Sequence, residues 1–215
     1  MFPKPLMTIY PSFRFLIKPD VGDQIPQYLT LLHMEHDAIL GMQQVWLAIE
    51  RSPDVAGEVR EMFAQHDWRP HLVAAVTLLT LPNSQSMWGD LWSALDANSW
   101  ACPQLAAAAS IGDPDFAANA RRRTEQGCPT TYRSAGHLEW IQRYGAEKPT
   151  VFPKYSGKAL AALISVCLER SDTSEWANKL KDREDLTAIM GHERVLGTNI
   201  AVSWRRSWLA MASGW

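Results

Sequence analysis

The stretch Asp67-Trp68-Arg69-Pro70-His71-Leu72-Val73-Ala74-Ala75-Val76 returns in altered form as Ser99-Trp100-Ala101-Cys102-Pro103-Gln104-Leu105-Ala106-Ala107-Ala108. Trp68 precedes Trp100 by 32 residues and Pro70 precedes Pro103 by 33, so one insertion separates two copies of one unit. Upstream, Val59 and Phe63 correspond to Leu91 and Leu95; downstream, Pro82 corresponds to Pro114. Each copy reads as helix, break, helix. The proline falls in the first turn of the second helix, where a missing N–H leaves nothing unpaired. A repeat of this length means stacked helical pairs, because one hairpin cannot cover its own apolar face and the next must do so. The alanines Ala106 to Ala109 let adjacent helices approach closely.

Helical periodicity extends to both sides. Leu31, Leu32, Ile39, Met42, Trp46 and Ile49 recur at three-to-four spacing from Gln27 onward, with Gly41 expected to kink or divide the segment. Ser52 reads as an N-cap and Pro53 as the first turn of the next helix, which carries Val55, Val59, Met62 and Phe63 as its apolar stripe. Gly112 reads as a C-cap glycine, and Asp113-Pro114-Asp115 as the start of a helix running to about Gln126. A short helix is expected from Ser134 to Tyr144, then a non-helical stretch over 145–157. Leu160, Leu163, Ile164, Cys167 and Leu168 give an amphipathic pattern. Asp172 and Glu175 suggest a capping box for a helix that ends at Gly191. The last helix is expected to carry Leu196, Ile200, Trp204 and Trp208 on one face.

The expected fold class is therefore all-α, in two parts: an irregular lead over 1–26 and a single helical-repeat domain over 27–215, with its clearest repeats at 55–126. Prolines 3, 5, 11, 19 and 26 break any long helix in the lead, where Phe13 to Ile17 is expected to pack as extended chain. No alternation of useful length suggests a strand past residue 20.

The chain has 215 residues, 47% hydrophobic and 20% charged, which excludes wholesale disorder. No run approaches about 18 apolar residues, so no membrane association is expected. The prolines near Met1 argue against a secretory signal. Three widely spaced cysteines, Cys102, Cys128 and Cys167, suit a reducing, cytoplasmic setting. The net charge of -2 makes nucleic acid an unfavoured partner. Yet residues 1–107 hold 11 acids against 6 bases, and residues 108–215 hold 12 against 15. Acids gather at Glu50, Asp54, Glu58, Glu61 and Asp67. The ten tryptophans include the close pairs Trp88/Trp92 and Trp204/Trp208, with Trp100 near the first, and tryptophan serves both cores and binding hot spots.

Residues that carry chemistry form weak patterns. His33 and His36 stand one turn apart with no third ligand in view. His66 and His71 straddle the Asp67-Trp68 break and suit capping or packing. Cys128 has His137 as its nearest base and Arg121, Arg122, Arg123 and Arg133 nearby, a poor basis for a nucleophile. The Arg121–Arg123 triplet suits the C-terminal dipole of its helix. Phosphate loops, nucleophile elbows and dinucleotide fingerprints are all missing. The expectation is a chain with no catalytic residues, no cofactor and no metal.

The segments Asp67-Trp-Arg-Pro-His-Leu-Val-Ala-Ala and Asp113-Pro-Asp resemble HEAT-like α-solenoid repeats. The tryptophan–proline break joined to an alanine-rich helix is similar to bacterial HEAT-like proteins that accompany secreted polymorphic toxins. This resemblance implies a right-handed α-solenoid of antiparallel helix pairs. It also implies an immunity protein that binds and neutralises a cognate toxin domain. A HEAT-like nucleic-acid-binding or nucleic-acid-processing protein, working through Arg121–Arg123 and Arg205-Arg206, and an assembly scaffold are the alternatives. The expected partner-binding residues are Asp54, Glu58, Glu61 and Asp67, with Trp68 and Trp92 as anchors. Asp54, Glu58 and Glu61 fall at i, i+4 and i+7, opposite Val55, Val59 and Phe63, so all three acids are expected to point outward toward a basic partner.

Overall fold

A computed structural model describes residues 10–17, 28–34, 37–125, 157–181, 183, 190 and 193–213. Among them the ordered elements are helices, with no strand. They are α1 (Arg14–Ile17), α2 (Tyr28–His33), α3 (Ala38–Arg51), α4 (Val55–Phe63), α5 (Trp68–Thr80), a 3-10 turn at Gln85–Met87, α6 (Trp88–Asp96), α7 (Cys102–Gly112), α8 (Phe116–Glu125), α9 (Gly157–Leu168), α10 (Ser174–Leu180) and α11 (Glu193–Ala212). The expected helix from Ser134 to Tyr144, Cys128, His137, His36 and the stop at Gly191 lie outside the described residues.

Three helices form the centre. α5 packs on α7 and α7 packs on α9. One set of neighbours, α4, α6 and α8, covers them; a second set, α1 to α3 and α11, covers them as well. The consequence is visible in burial: Pro70 to Leu78, Cys102 to Ser110 and Lys158 to Cys167 are buried without interruption. The α9 segment is thus apolar and buried on every side, where periodicity predicted an exposed polar face. A helix covered all round needs no polar stripe. Leu72, Val76, Leu105, Leu160 and Ile164 are all buried as expected, and Leu168 is partly so. Each fully buried leucine contributes about 1.5–3 kcal/mol by leaving water.

The two tryptophan breaks lie against each other. Trp68 and Trp100 meet ring to ring, with centroids 4.7 Å apart. His71 reaches from the first break to the second: one ring nitrogen, Nε2, lies 2.8 Å from the Gln65 carbonyl and the other, Nδ1, lies 2.8 Å from Ser99 Oγ. A carbonyl only accepts, so Nε2 carries the proton and Ser99 donates to Nδ1. Burial holds the ring below the usual histidine range.

Several expected boundaries move. The lead contains a helical turn, α1, instead of extended chain, and it packs on α3 and α5. The α2–α3 break falls at Met34, whose φ is 52°, not at Gly41. Gly41 lies inside α3, where a Cβ would collide with Thr30 and Leu31 of α2. Gly112 likewise serves close packing: a Cβ there would lie 2.5 Å from the Trp88 ring and 2.9 Å from Leu79. In α11 the buried face is Gly197, Ala201, Trp204 and Trp208, while Leu196 is exposed. Thr173, not Asp172, precedes α10; its hydroxyl donates to the Cys167 carbonyl, and Asp172 and Glu175 pair with Arg170 and Lys179.

Candidate protein-binding surface

The acidic helix α4 does not present its carboxylates as periodicity predicts. Asp54, not Ser52, is its N-cap, and its side chain accepts the Gly57 N–H at 2.9 Å. Glu58 is 6% exposed. Ser12 donates its backbone N–H to Glu58 Oε2 at 2.9 Å and its hydroxyl to Oε1 at 2.8 Å, and the Ser52 hydroxyl donates to Oε1 at 2.8 Å. Three hydrogen bonds meet the cost of burying this carboxylate. The outward expectation fails because it placed solvent opposite Val59 and Phe63. The chain before α1 covers that side instead. Asp54 and Glu61 are exposed, as expected.

Asp67 caps α5 by accepting the Arg69 N–H at 3.1 Å, and it pairs with the Arg69 guanidinium at 3.0 Å. That guanidinium also donates to the Tyr28 hydroxyl and sits 5.0 Å from the centre of the Trp68 ring. The Tyr28 bond is the main reason the Arg69 pKa rises above its ordinary value. Burial, with the Asp67 charge, raises the Tyr10 phenol. Asp67 is therefore a structural cap with one flank still accessible.

Of the two expected tryptophan anchors, Trp68 is half-buried and Trp92 is 3% exposed. Trp92 donates its indole N–H to Asp113 Oδ2 at 2.7 Å and stacks on Phe116. The Arg123 guanidinium lies 4.3 Å from its ring centre and makes a two-bonded pair with Asp96 at 2.7 and 2.8 Å. Trp92 is thus a core residue whose polar end is satisfied internally, and it cannot serve as an anchor. A polar cleft of about 540 Å³ opens beside it, lined by Trp88, Ser93, Asp113, Asn119 and Arg122 among others. Asp113 there accepts from Trp92 and Asn119 at Oδ2 and from Asp115 N at Oδ1, all of them structural bonds.

Trp100 is 55% open to solvent, the most exposed tryptophan side chain among those described. Trp68 backs its ring on one side, edge-on to Tyr28, and the Lys158 ammonium lies 4.2 Å from its ring centre. Lys158 also donates to the Trp100 carbonyl at 2.8 Å, so backbone and ring are both held. An aromatic fixed in this way loses little side-chain entropy when a partner covers it. In the sequence the Trp100 break aligns with the Trp68 break, and in the structure the two rings are in contact. Sequence alone picks out Trp68 and Trp92 as anchors and does not single out Trp100.

The basic residues are mostly committed. Arg205 and Arg206 both pair with Glu169, and Arg205 Nε donates to Ser110 Oγ at 3.1 Å. Arg121 lies over Trp176, and Arg170 holds Asp172 while crossing the Phe116 ring. Hydrogen bonding to Arg170 holds the Asp172 carboxyl below its ordinary range. Burial pushes the Cys167 thiol up to about 12, which keeps it protonated and inert. Among the described residues, no group of three histidines, cysteines or carboxylates is placed to hold a metal ion, and no helix is long and apolar enough to cross a membrane.

No protein family, curated protein or solved structure matches this chain.

Proposed function

We propose that this chain is a non-enzymatic protein-binding module, built as a right-handed α-solenoid of HEAT-like antiparallel helix pairs. In its narrower form the proposal is a bacterial, cytoplasmic immunity-type protein that neutralises a toxin domain. The observation that carries the binding reading is Trp100: a large aromatic, mostly exposed, fixed between Trp68 and Lys158 at the junction of two repeats. Rigid, accessible tryptophans are what interface hot spots are made of. The solenoid reading is supported by the contact between Trp68 and Trp100, one repeat apart. The toxin reading is supported by Asp54 and Glu61, exposed acids that suit a basic partner. The nucleic-acid alternative draws less support, since Arg123 and Arg205 are already held by Asp96 and Glu169.

The test uses the product of the reading frame next to this gene. Co-expression is expected to relieve its toxicity, and the purified pair is expected to bind. Trp100→Ala is expected to weaken binding by about 30-fold, the effect of a 2 kcal/mol hot spot. Glu61→Lys is expected to slow association and flatten its salt dependence. A complex indifferent to Trp100→Ala, or no complex at all, overturns the proposal. Salt-dependent binding to DNA or RNA in its place favours the nucleic-acid reading.

A further inference from the structure

Helices α4 and α6 pack together, with Arg60 and Asp90 paired across them at 3.7 Å. The next pair, α6 and α8, stands apart. Trp92, stacked on Phe116, lies at the floor between them, and the Arg123–Asp96 pair closes one end. Above that floor lies the polar cleft of about 540 Å³. A volume in this range is that of a small-molecule site. Two polar edges line it. Gln85, Gly89 and Ser93 follow at spacings of four on the α6 side, and Asp115, Asn119 and Arg122 at four and three on the α8 side.

Most groups in the cleft are committed to the fold. Asp96 holds Arg123, Asp113 accepts from Trp92, Asn119 and Asp115 N, and the Ser93 hydroxyl donates to the Gly89 carbonyl. Three groups are not. The Asp115 carboxylate and the Gln85 amide are exposed and make no side-chain bond among the described residues. Arg122 spends one N–H, on Asn119 at 3.2 Å, and is otherwise open to solvent. Gly89 supplies a separate sign. A glycine weakens a helix relative to alanine. Gly57 in α4 is required, because a Cβ there would lie 2.2 Å from the Asp54 carboxylate that caps the helix. A Cβ on Gly89 would meet nothing within 4 Å, so no neighbour in the fold demands its absence. Gly89 lines the cleft, and the space its missing side chain leaves is open.

The uncommitted groups fix the chemistry of a ligand. From Asp115 to Arg122 is a rise of about 10 Å along α8. A carboxylate at one end and a guanidinium at the other call for a positive and a negative group at about that separation. An extended tripeptide carries its ammonium and its carboxylate about 10 Å apart. Gln85, with donor and acceptor both unspent, matches a peptide group between them. We propose that the α6–α8 cleft binds a short zwitterionic peptide, its ammonium on Asp115, its carboxylate on Arg122 and its backbone passing over Gly89. A phosphate ligand fits poorly, because three aspartates line the cleft against two arginines. Trp100 does not line it, so the site stands whether or not a toxin domain is the partner.

Titration of the full chain with trialanine, followed by the indole N–H magnetic-resonance signals of Trp88 and Trp92, tests the proposal. The expected dissociation constant is on the order of 0.1–1 mM. N-acetyl-trialanine, which lacks the ammonium, and trialanine amide, which lacks the carboxylate, are each expected to bind about tenfold more weakly. Asp115→Asn and Arg122→Gln are each expected to cost about tenfold with trialanine, and Asp115→Asn to leave the weak binding of N-acetyl-trialanine unchanged. Gly89→Ala is expected to weaken trialanine about threefold or more while melting no lower than wild type. ω-Aminooctanoate, with the same two charges and no peptide group, is expected to bind about fivefold more weakly. No shift with trialanine at about 20 mM overturns the site. Shifts indifferent to Asp115→Asn and Arg122→Gln overturn the two end contacts. A Gly89→Ala chain that binds as wild type overturns the path of the backbone, and equal binding of ω-aminooctanoate overturns the peptide as ligand.

Discussion

Helices α3 and α4 are neighbours in the chain, and each inverts the simplest reading of its side chains. α4 carries acids at i, i+4 and i+7, yet the middle one, Glu58, is buried and bonded by Ser12 and Ser52. α3 carries apolar residues around most of its circumference, yet Ile39, Leu40, Trp46 and Leu47 face water. The difference lies in what lies opposite. The chain entering α1 brings a hydroxyl and an N–H to Glu58, the α3–α4 link brings a second hydroxyl, and a carboxylate is the group that accepts all three. Nothing in the described structure covers the outer side of α3, so its apolar arc stays open. Residue type reports what a face can tolerate; the neighbouring element decides whether the face is core or surface.

The largest expected effect sets the scale. Leu72→Ala, at the centre of α5, should cost about 2–5 kcal/mol in urea unfolding, whereas Leu40→Ala on the outer arc of α3 should stay within about 0.5 kcal/mol. Equal losses at the two positions would erase the contrast between a covered and an uncovered apolar face. Next, Glu58→Ala should cost roughly 1.5–3 kcal/mol, the worth of hydrogen bonds to a charged group. Glu61→Ala, one turn on and exposed, should stay within about 0.5 kcal/mol. A smaller term is pH-dependent. Because the folded His71 pKa is depressed, its stabilising contribution is fully present above the unfolded value of about 6.5. It is lost as the pH falls below that value and through the folded one. Melting temperatures of wild type and His71→Gln should therefore converge between pH 8 and pH 5. A constant gap across that range would mean the ring titrates normally.

The helical fold was legible because the Trp68 and Trp100 breaks recur and because Leu72, Leu105 and Leu160 keep helical spacing. Boundaries were less so. Ser52 and Asp54 are both good caps, and only the Glu58 bond, which engages the Ser52 hydroxyl, leaves the cap to Asp54. The site was legible in part. Trp68, Asp54, Glu61 and one flank of Asp67 remain at the surface. Trp92 does not, because Asp113, 21 residues away, takes its indole N–H. That contact depends on how α6 and the α7–α8 turn meet, which no local pattern encodes. Trp100 was not among the expected anchors, although the sequence aligns its break with that of Trp68.

The inward turn of α4 is the point on which the assignment of surfaces depends, since it removes Glu58 from the acidic face and leaves Trp100 as the contact candidate. A double-mutant cycle on Glu58→Ala and Ser12→Ala, read by urea unfolding, tests it most directly. The buried hydrogen bonds predict a coupling energy of about 1 kcal/mol or more between positions 46 residues apart in sequence. Additive losses, with coupling below about 0.3 kcal/mol, would place Glu58 in solvent and return the acidic face to α4.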